Sequence, residues 1–181
     1  MRNLAYVVVI AVLALAMAPS LTFGQTVYNT GTQGCCYLLD PHYTLVAAPP
    51  GVTLGNVYSA TICCSWHRYW VTPLPGSSWI NPTGDADWGE PEGNYTYRQT
   101  FTLDSTAGAA LAGEFSADNR ACMTLNGGHA QCTLGGEESW GRYTSFEFTS
   151  GFQVGTNTLD FVVYEEGDSP TGLEVVFCTP N

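Results

Sequence analysis

The sequence predicts an all-β protein, a jelly-roll β-sandwich. One observation is the run from Phe146 to Tyr164, FEFTSGFQVGTNTLDFVVY, in which Phe146/Phe148 and Leu159/Phe161/Val163 alternate with polar residues on either side of a Gly- and Asn-punctuated connection. That is the pattern of two half-buried strands of an antiparallel sheet, because successive side chains of an extended chain point to opposite faces. A second is that further alternating segments recur along the chain, separated by Gly, Pro and Asn turns. A third is the near absence of helical periodicity: Ser105–Ala112 is the only helix-like stretch, rich in small residues and too short to define a helical domain.

The chain opens with Arg2 and Asn3, an apolar run from Leu4 to Ala18, and small residues up to Gly24, in the order of a signal peptide. Residues 1–24 are read as that leader, with cleavage near Gly24/Gln25. The run is shorter than the ~20 residues a bilayer requires, so no membrane insertion is expected after cleavage. The C-terminus, VVFCTPN, has neither a hydrophobic tail nor a basic stop signal, which predicts free secretion to the extracellular space. Residues 25–181 are enough for a single domain with a sizeable core.

Within that domain the elements follow in order. Val27–Thr30 opens as a strand, and after the turn at Pro41 the segment His42–Val46 extends with Tyr43 and Leu45 on one face. Pro49, Pro50 and Gly51 stop it, and Val57–Ile62 is the next strand. A loop-rich passage, Pro73–Pro82, carries Trp79, read as a core plug, and Asp85–Gly93 is an acidic loop. In Tyr97–Leu103 the residues Tyr97, Phe101 and Leu103 point inward while Arg98, Thr100 and Thr102 meet solvent. Leu111–Phe115 and Ala121–Leu125 follow, the latter burying Met123 and Leu125, and the last strand, Leu173–Phe177, turns Leu173, Val175 and Phe177 inward.

Seven cysteines in an exported chain read as disulfides, with one left to pair between chains or stay free. Cys122 and Cys132 bracket the turn signal Asn126-Gly127-Gly128 and should face each other across a hairpin. The adjacent pairs Cys35/Cys36 and Cys63/Cys64 suggest bonding between the two sites, with Cys178 taking a leftover partner; the register is not legible. Zinc on Cys63, Cys64 and His67 is the competing reading, and no second Cys-x-x-Cys or His-x-x-x-His completes a tetrahedral set.

Charge narrows the partners. The formal net charge is −11 and all five basic residues are arginines, so a nucleic acid, which requires clustered cations on its phosphates, is excluded as a partner. A cation or a neutral polar ligand such as a glycan fits better. Sugar rings pack their C–H faces on flat aromatic rings while carboxylates, amides or arginine take the hydroxyls. Trp88 in DWGEPEG, and Trp140, Arg142 and Tyr143 in ESWGRY, offer that combination, against a bland reading in which each Trp caps the core edge. In the acidic loop, Asp85, Asp87 and Glu90, with Glu92, are spaced so that they could wrap calcium, against a reading as a solvated loop. For catalysis nothing assembles: Glu137 and Glu138 are adjacent, His42, His67 and His129 stand apart, and no Gly-x-Ser-x-Gly or His-Glu-x-x-His motif is present, so no enzyme is expected.

The series Asp40-Pro41-His42-Tyr43-Thr44-Leu45, Ser78-Trp79-Ile80-Asn81-Pro82, Tyr97-Arg98-Gln99-Thr100-Phe101, Ala117-Asp118-Asn119, Leu125-Asn126-Gly127, Gly151-Phe152 and Gly155-Thr156-Asn157-Thr158-Leu159-Asp160-Phe161 resembles bacterial extracellular modules with a galactose-binding-domain-like fold. Similar stretches often sit in exported proteins that carry a C-terminal sorting signal. The resemblance spans about Val27 to Val176 and implies that fold and a non-catalytic binding role. This chain departs from the pattern in lacking the sorting segment and in its two Cys-Cys pairs, which raise the prospect of a disulfide-linked homo-oligomer. The expectation is a secreted module that binds a glycan or another extracellular surface component. The alternative is a structural subunit of an extracellular assembly, cross-linked through the extra cysteines.

Overall fold

The computed structural model describes residues 27–34, 37–60, 69–85, 89–167 and 169–178. The leader, Cys35, Cys36, Cys63, Cys64, His67, Asp87 and Trp88 therefore lie outside the described residues. Ten strands are present among those described: β1 (Thr44–Ala47), β2 (Tyr58–Ser59), β3 (Ile80–Asn81), β4 (Gly93–Leu103), β5 (Leu111–Asp118), β6 (Arg120–Leu125), β7 (Gln131–Cys132), β8 (Thr144–Phe148), β9 (Gly155–Glu165) and β10 (Gly172–Phe177). They form two five-stranded antiparallel sheets, ordered β1-β4-β9-β6-β7 and β2-β3-β10-β5-β8. The β-sandwich expected from the alternation is the observed architecture.

The first sheet is built on β4 and β9, which pair residue for residue from Gly93 opposite Glu165 to Leu103 opposite Gly155. Each strand has period two: Tyr95, Tyr97, Gln99, Phe101 and Leu103 are buried on one, Asn157, Leu159, Phe161, Val163 and Glu165 on the other. From the facing sheet, Phe115 on β5 reaches Phe161 with ring centroids 6.3 Å apart, and Phe146 on β8 stands edge-on to both Phe115 and Phe177. The inward residues expected of the segments around Tyr43, Tyr97, Met123 and Leu173 all lie in this core.

The reading of Phe146–Tyr164 as two half-buried strands of one antiparallel sheet is corrected: the two strands lie in different antiparallel sheets. β8 pairs with β5 in the second sheet, whereas β9 lies between β4 and β6 in the first. The connection crosses from sheet to sheet, and the two apolar faces approach the same core from opposite sides. Sequence alternation reports which face is buried and is silent on which strand lies alongside.

Other boundaries shift for identifiable reasons. Val27–Thr30 is not a strand, although it runs beside β10: one backbone bond joins them, from the Thr30 N–H to the Val175 carbonyl at 3.1 Å, and side chains make the others, the Phe177 N–H donating to the Asn29 side chain at 2.9 Å and the Val175 N–H to the Thr30 hydroxyl at 3.0 Å. The buried Gln99 amide tethers the same segment by accepting from the Tyr28 N–H and donating to its carbonyl, both at 2.8 Å. Within Ser105–Ala112 there is a turn at residues 107–108 and the start of β5, and no helix. Of Val57–Ile62, only Tyr58–Ser59 is strand among the described residues.

Cys122 and Cys132 sit opposite one another on β6 and β7 and are bonded, as their placement around the turn predicts. The turn is made by Asn126 (φ 51°) and Gly127 (φ 68°), successive left-handed residues of the kind a tight hairpin requires. Cys178 is exposed and unpaired among the described residues.

The outer face of the second sheet carries a second, smaller core. Trp70 and Trp79 stack with centroids 4.3 Å apart above Gly172, where a Cβ would come within 2.8 Å of the Trp70 ring. Ala60 is buried beside them, with Val71 and Trp140 at the margin. Glu174 points outward from β10 and is nonetheless buried, because residues 69–79 lie over it: its Oε1 accepts from the Ser77 hydroxyl at 2.6 Å and from the Leu74 N–H at 3.1 Å.

Truncating a ring at the inter-sheet contact leaves a cavity that the two sheets cannot close. Phe161→Ala is expected to cost about 3–5 kcal/mol in denaturant unfolding, while Thr100→Ala on the solvent face of β4 should stay within about 0.5 kcal/mol. Equal effects would mean that β9 is not buried as described.

Candidate functional site

An open cleft of about 540 Å³ lies at the edge of the sandwich, between the 51–56 loop, Tyr58 of β2, Pro82 and Thr83 after β3, and Glu90 and Pro91 before β4. One wall is fixed by reciprocal backbone bonds between Leu45 and Gly55, both 2.9 Å, which hold the loop against β1. The other is set by Asn81, buried at the end of β3, whose side chain accepts from the Thr83 and Gly84 N–H groups and donates to the Asp85 carbonyl. An asparagine side chain that bonds the backbone two residues on makes a local turn. The turn positions Thr83, whose hydroxyl donates to Glu90 Oε1 at 3.1 Å.

Among the described residues Glu90 is the only charged one lining the cleft, and it is 7% exposed. Burial raises its pKa, the Thr83 hydroxyl opposes this, and the neighbouring Asp85 carboxylate adds to the rise. Its backbone N–H donates to the Ser169 carbonyl at 2.9 Å, which ties this wall to the β9–β10 connection. Tyr58 stands half-buried, with Asn56 Nδ2 3.4 Å from its hydroxyl; Val52, Leu54 and Pro91 add apolar surface.

A buried acid lies close to this wall. Glu165 ends the inward face of β9 and is fully buried; its Oε1 accepts from both the N–H and the hydroxyl of Ser169, while its Oε2 has no partner among the described residues. Tyr97 Oη is likewise buried and unpartnered among the described residues. Burial, followed by the Glu90 and Glu165 carboxylates, pushes the Tyr97 phenol well above its usual range. Burial raises Glu165 to about 7, with Asp118 and Glu90 contributing. Asp118, at the end of β5, is also raised to about 7 by burial, against the 2.6 Å bond it accepts from the Trp70 indole N–H.

Of the residues singled out for glycan contact, Trp88 is outside the described residues, and Trp140, Arg142 and Tyr143 do not line this cleft. The turn Gly136–Gly141 is a short 3-10 helix that the sequence did not announce, and it carries Trp140, half-buried against the Trp70/Trp79 core with its carbonyl accepting from the Val71 N–H at 2.7 Å. Tyr69, which the sequence did not single out, stands edge-on to Trp140 at 5.7 Å and is 65% exposed. Arg142 is exposed nearby. Tyr143 is spent on structure: its hydroxyl accepts from the Leu74 N–H at 3.2 Å and donates to the Thr72 carbonyl at 3.1 Å, and burial together with Glu174 raises its pKa.

Of the carboxylates expected to hold calcium, Asp87 is not described; Asp85 is half-buried, and its backbone carbonyl is taken by Asn81. Among the described residues no group of three His, Cys, Asp or Glu side chains is arranged to hold a metal ion. Asn126 and Asn157 are structural: Asn157 Oδ1 accepts from the Gln153 N–H and from Asn126 Nδ2, closing the turns at that end.

No protein-family model and no curated protein matches the chain. Among solved structures it is similar to the CBM35 from Paenibacillus barcinonensis, at 13% identity and a TM-score of 0.39, over 86% of this chain and all of that one. It is also similar to a beta-glucosidase from Kluyveromyces marxianus solved in complex with glucose, at 7% identity and a TM-score of 0.34, over 89% of this chain but only 20% of the glucosidase. The two-sheet architecture rests on the strand pairing described above.

The buried acids make stability depend on pH. In the unfolded chain Glu165 and Asp118 titrate near 4.5 and 3.8; in the folded protein both are raised to about 7. The folded state thus holds their protons more tightly, and the stability they confer is full below about pH 4 and is lost as pH rises toward 7. Wild-type Tm should fall across that window, and Glu165→Gln, which cannot ionise, should fall less steeply. Parallel Tm–pH curves for the two proteins would overturn the assignment.

Proposed function

We propose that the protein is a secreted, non-catalytic module that binds a carbohydrate in the cleft between the 51–56 loop and Glu90. The observation that carries this is the convergence, on one open cavity, of a half-buried aromatic ring (Tyr58), an amide (Asn56), a hydroxyl (Thr83) and a single carboxyl group (Glu90), between apolar patches from Val52, Leu54 and Pro91. Sugars present C–H faces and hydroxyls together, and mostly apolar clefts with a few placed polar groups bind such ligands. The single lining carboxyl is bonded to a hydroxyl, without a second acid or a base across the cavity among the described residues, which supports binding over glycosidic hydrolysis. The charge of −11 favours neutral or cationic ligands.

Tyr69 and Trp140, with Arg142 beside them, favour a second contact surface: one ring is exposed and the other is seated on a rigid tryptophan stack. In a glycan-array screen, run with calcium and with chelator, Tyr58→Ala should lower affinity for any positive glycan by tenfold or more, about 1.4 kcal/mol, with Tm almost unchanged. If Trp140→Ala abolishes binding and Tyr58→Ala does not, the site is the aromatic face and the cleft assignment fails.

A structural role in a cross-linked extracellular assembly is favoured by one observation, the exposed thiol of Cys178. In that case secreted material would run as a ladder on a non-reducing gel and collapse to monomer on reduction. The binding-module reading expects a monomer under both conditions.

A further inference from the structure

Resting on the cleft as the carbohydrate site, we infer that it selects sugars bearing a free, protonated amine, of the glucosamine type, over their neutral N-acetylated counterparts. The lining contributes one charge, the Glu90 carboxyl, and no basic side chain among the described residues. An ionised carboxylate can accept about four hydrogen bonds, and among the described residues Glu90 receives one side-chain bond, from Thr83. The carboxylates that act on it or on its neighbours, Asp85, Glu165 and Asp118, have the same sign. The described arginines lie at other places: Arg98 pairs with Asp160 through two bonds of 2.6 Å, Arg120 lies 4.1 Å over the Tyr164 ring, and Arg142 runs beside Gly135.

A buried carboxylate is held at a cost in solvation, which burial expresses as the raised pKa of Glu90, and among the described residues no cation lines the cleft to offset it. An ammonium group brings both the missing charge and three donors, and charge-assisted hydrogen bonds are roughly twice as strong as neutral ones. An acetamido group brings one neutral N–H and extra bulk. Asn56, Tyr58 and Thr83 remain for the hydroxyls, and Val52, Leu54 and Pro91 for the ring face. Uronic acids are disfavoured by the same carboxyl and by the overall charge.

Isothermal titration with trimers of glucosamine and of N-acetylglucosamine, in chelator, tests this on wild type, Glu90→Gln and Tyr58→Ala. Wild type should bind the amine-bearing trimer at least tenfold more tightly near pH 6.5, and Glu90→Gln should bind the two alike. In wild type alone, the preference should shrink as pH is lowered and Glu90 takes up its proton, so the inference remains testable if a variant folds poorly. Equal affinities in wild type, or a preference that survives both Glu90→Gln and acid, overturn the amine selectivity and leave the carbohydrate cleft standing. If wild type binds neither trimer, or binds them as well after Tyr58→Ala, the cleft reading falls together with it.

Discussion

The pairing of β4 with β9 is the constraint on which the rest of the structure depends. Eleven consecutive residue pairs fix these strands in one register, and their inward faces supply Tyr95, Tyr97, Phe101, Leu159, Phe161 and Val163 to the core. Slipping the register by one residue would turn one of these faces outward, so the pairing and the burial enforce each other. Everything else is laid against this ribbon. β1 and β6 extend it sideways, β5 and β8 close over it through the Phe115, Phe146 and Phe161 contacts, and the N-terminal segment is pinned to Gln99.

The same register sets the electrostatics at one end. The period-two alternation that buries Phe161 and Val163 also buries Glu165, the last residue of the face. A carboxyl group delivered to the interior in this way is either neutralised or partnered, and here Ser169 bonds one oxygen while the other has no partner among the described residues. Because Ser169 also receives the Glu90 N–H, the acid that closes the strand and the acid that lines the cleft are joined through one residue. The cleft chemistry thus derives from where the strand pairing stops.

The outer face of the second sheet shows a different economy. A sandwich sheet ordinarily leaves one face to solvent, yet β10 and β5 carry a tryptophan stack over Gly172, with Asp118, Ser116 and Glu174 buried around it. Segment 69–79 is held there by rings packed on a glycine and by polar bonds to Glu174 and Asp118. That arrangement gives Trp140 a rigid seat and leaves Tyr69 standing free of the sheet.

The sequence by itself determined the β class, the inward residues of the long strands and the Cys122–Cys132 hairpin. Those features are encoded by neighbours: alternation has a period of two residues, and an Asn-Gly turn brings cysteines on either side of it together. Glu90 was legible as a member of an acidic loop, and Trp140 as an aromatic beside arginine. Only the tertiary structure decided that β8 and β9 belong to different sheets, that Glu165 and Glu174 are buried, that Tyr143 serves the 72–74 segment, and that Tyr58, Asn56 and Thr83 share a cavity with Glu90. The physical reason is that strand neighbours and the covering of a face are chosen by contacts between residues far apart in sequence, so a polar residue on an outward position reads as solvated until another segment is laid over it.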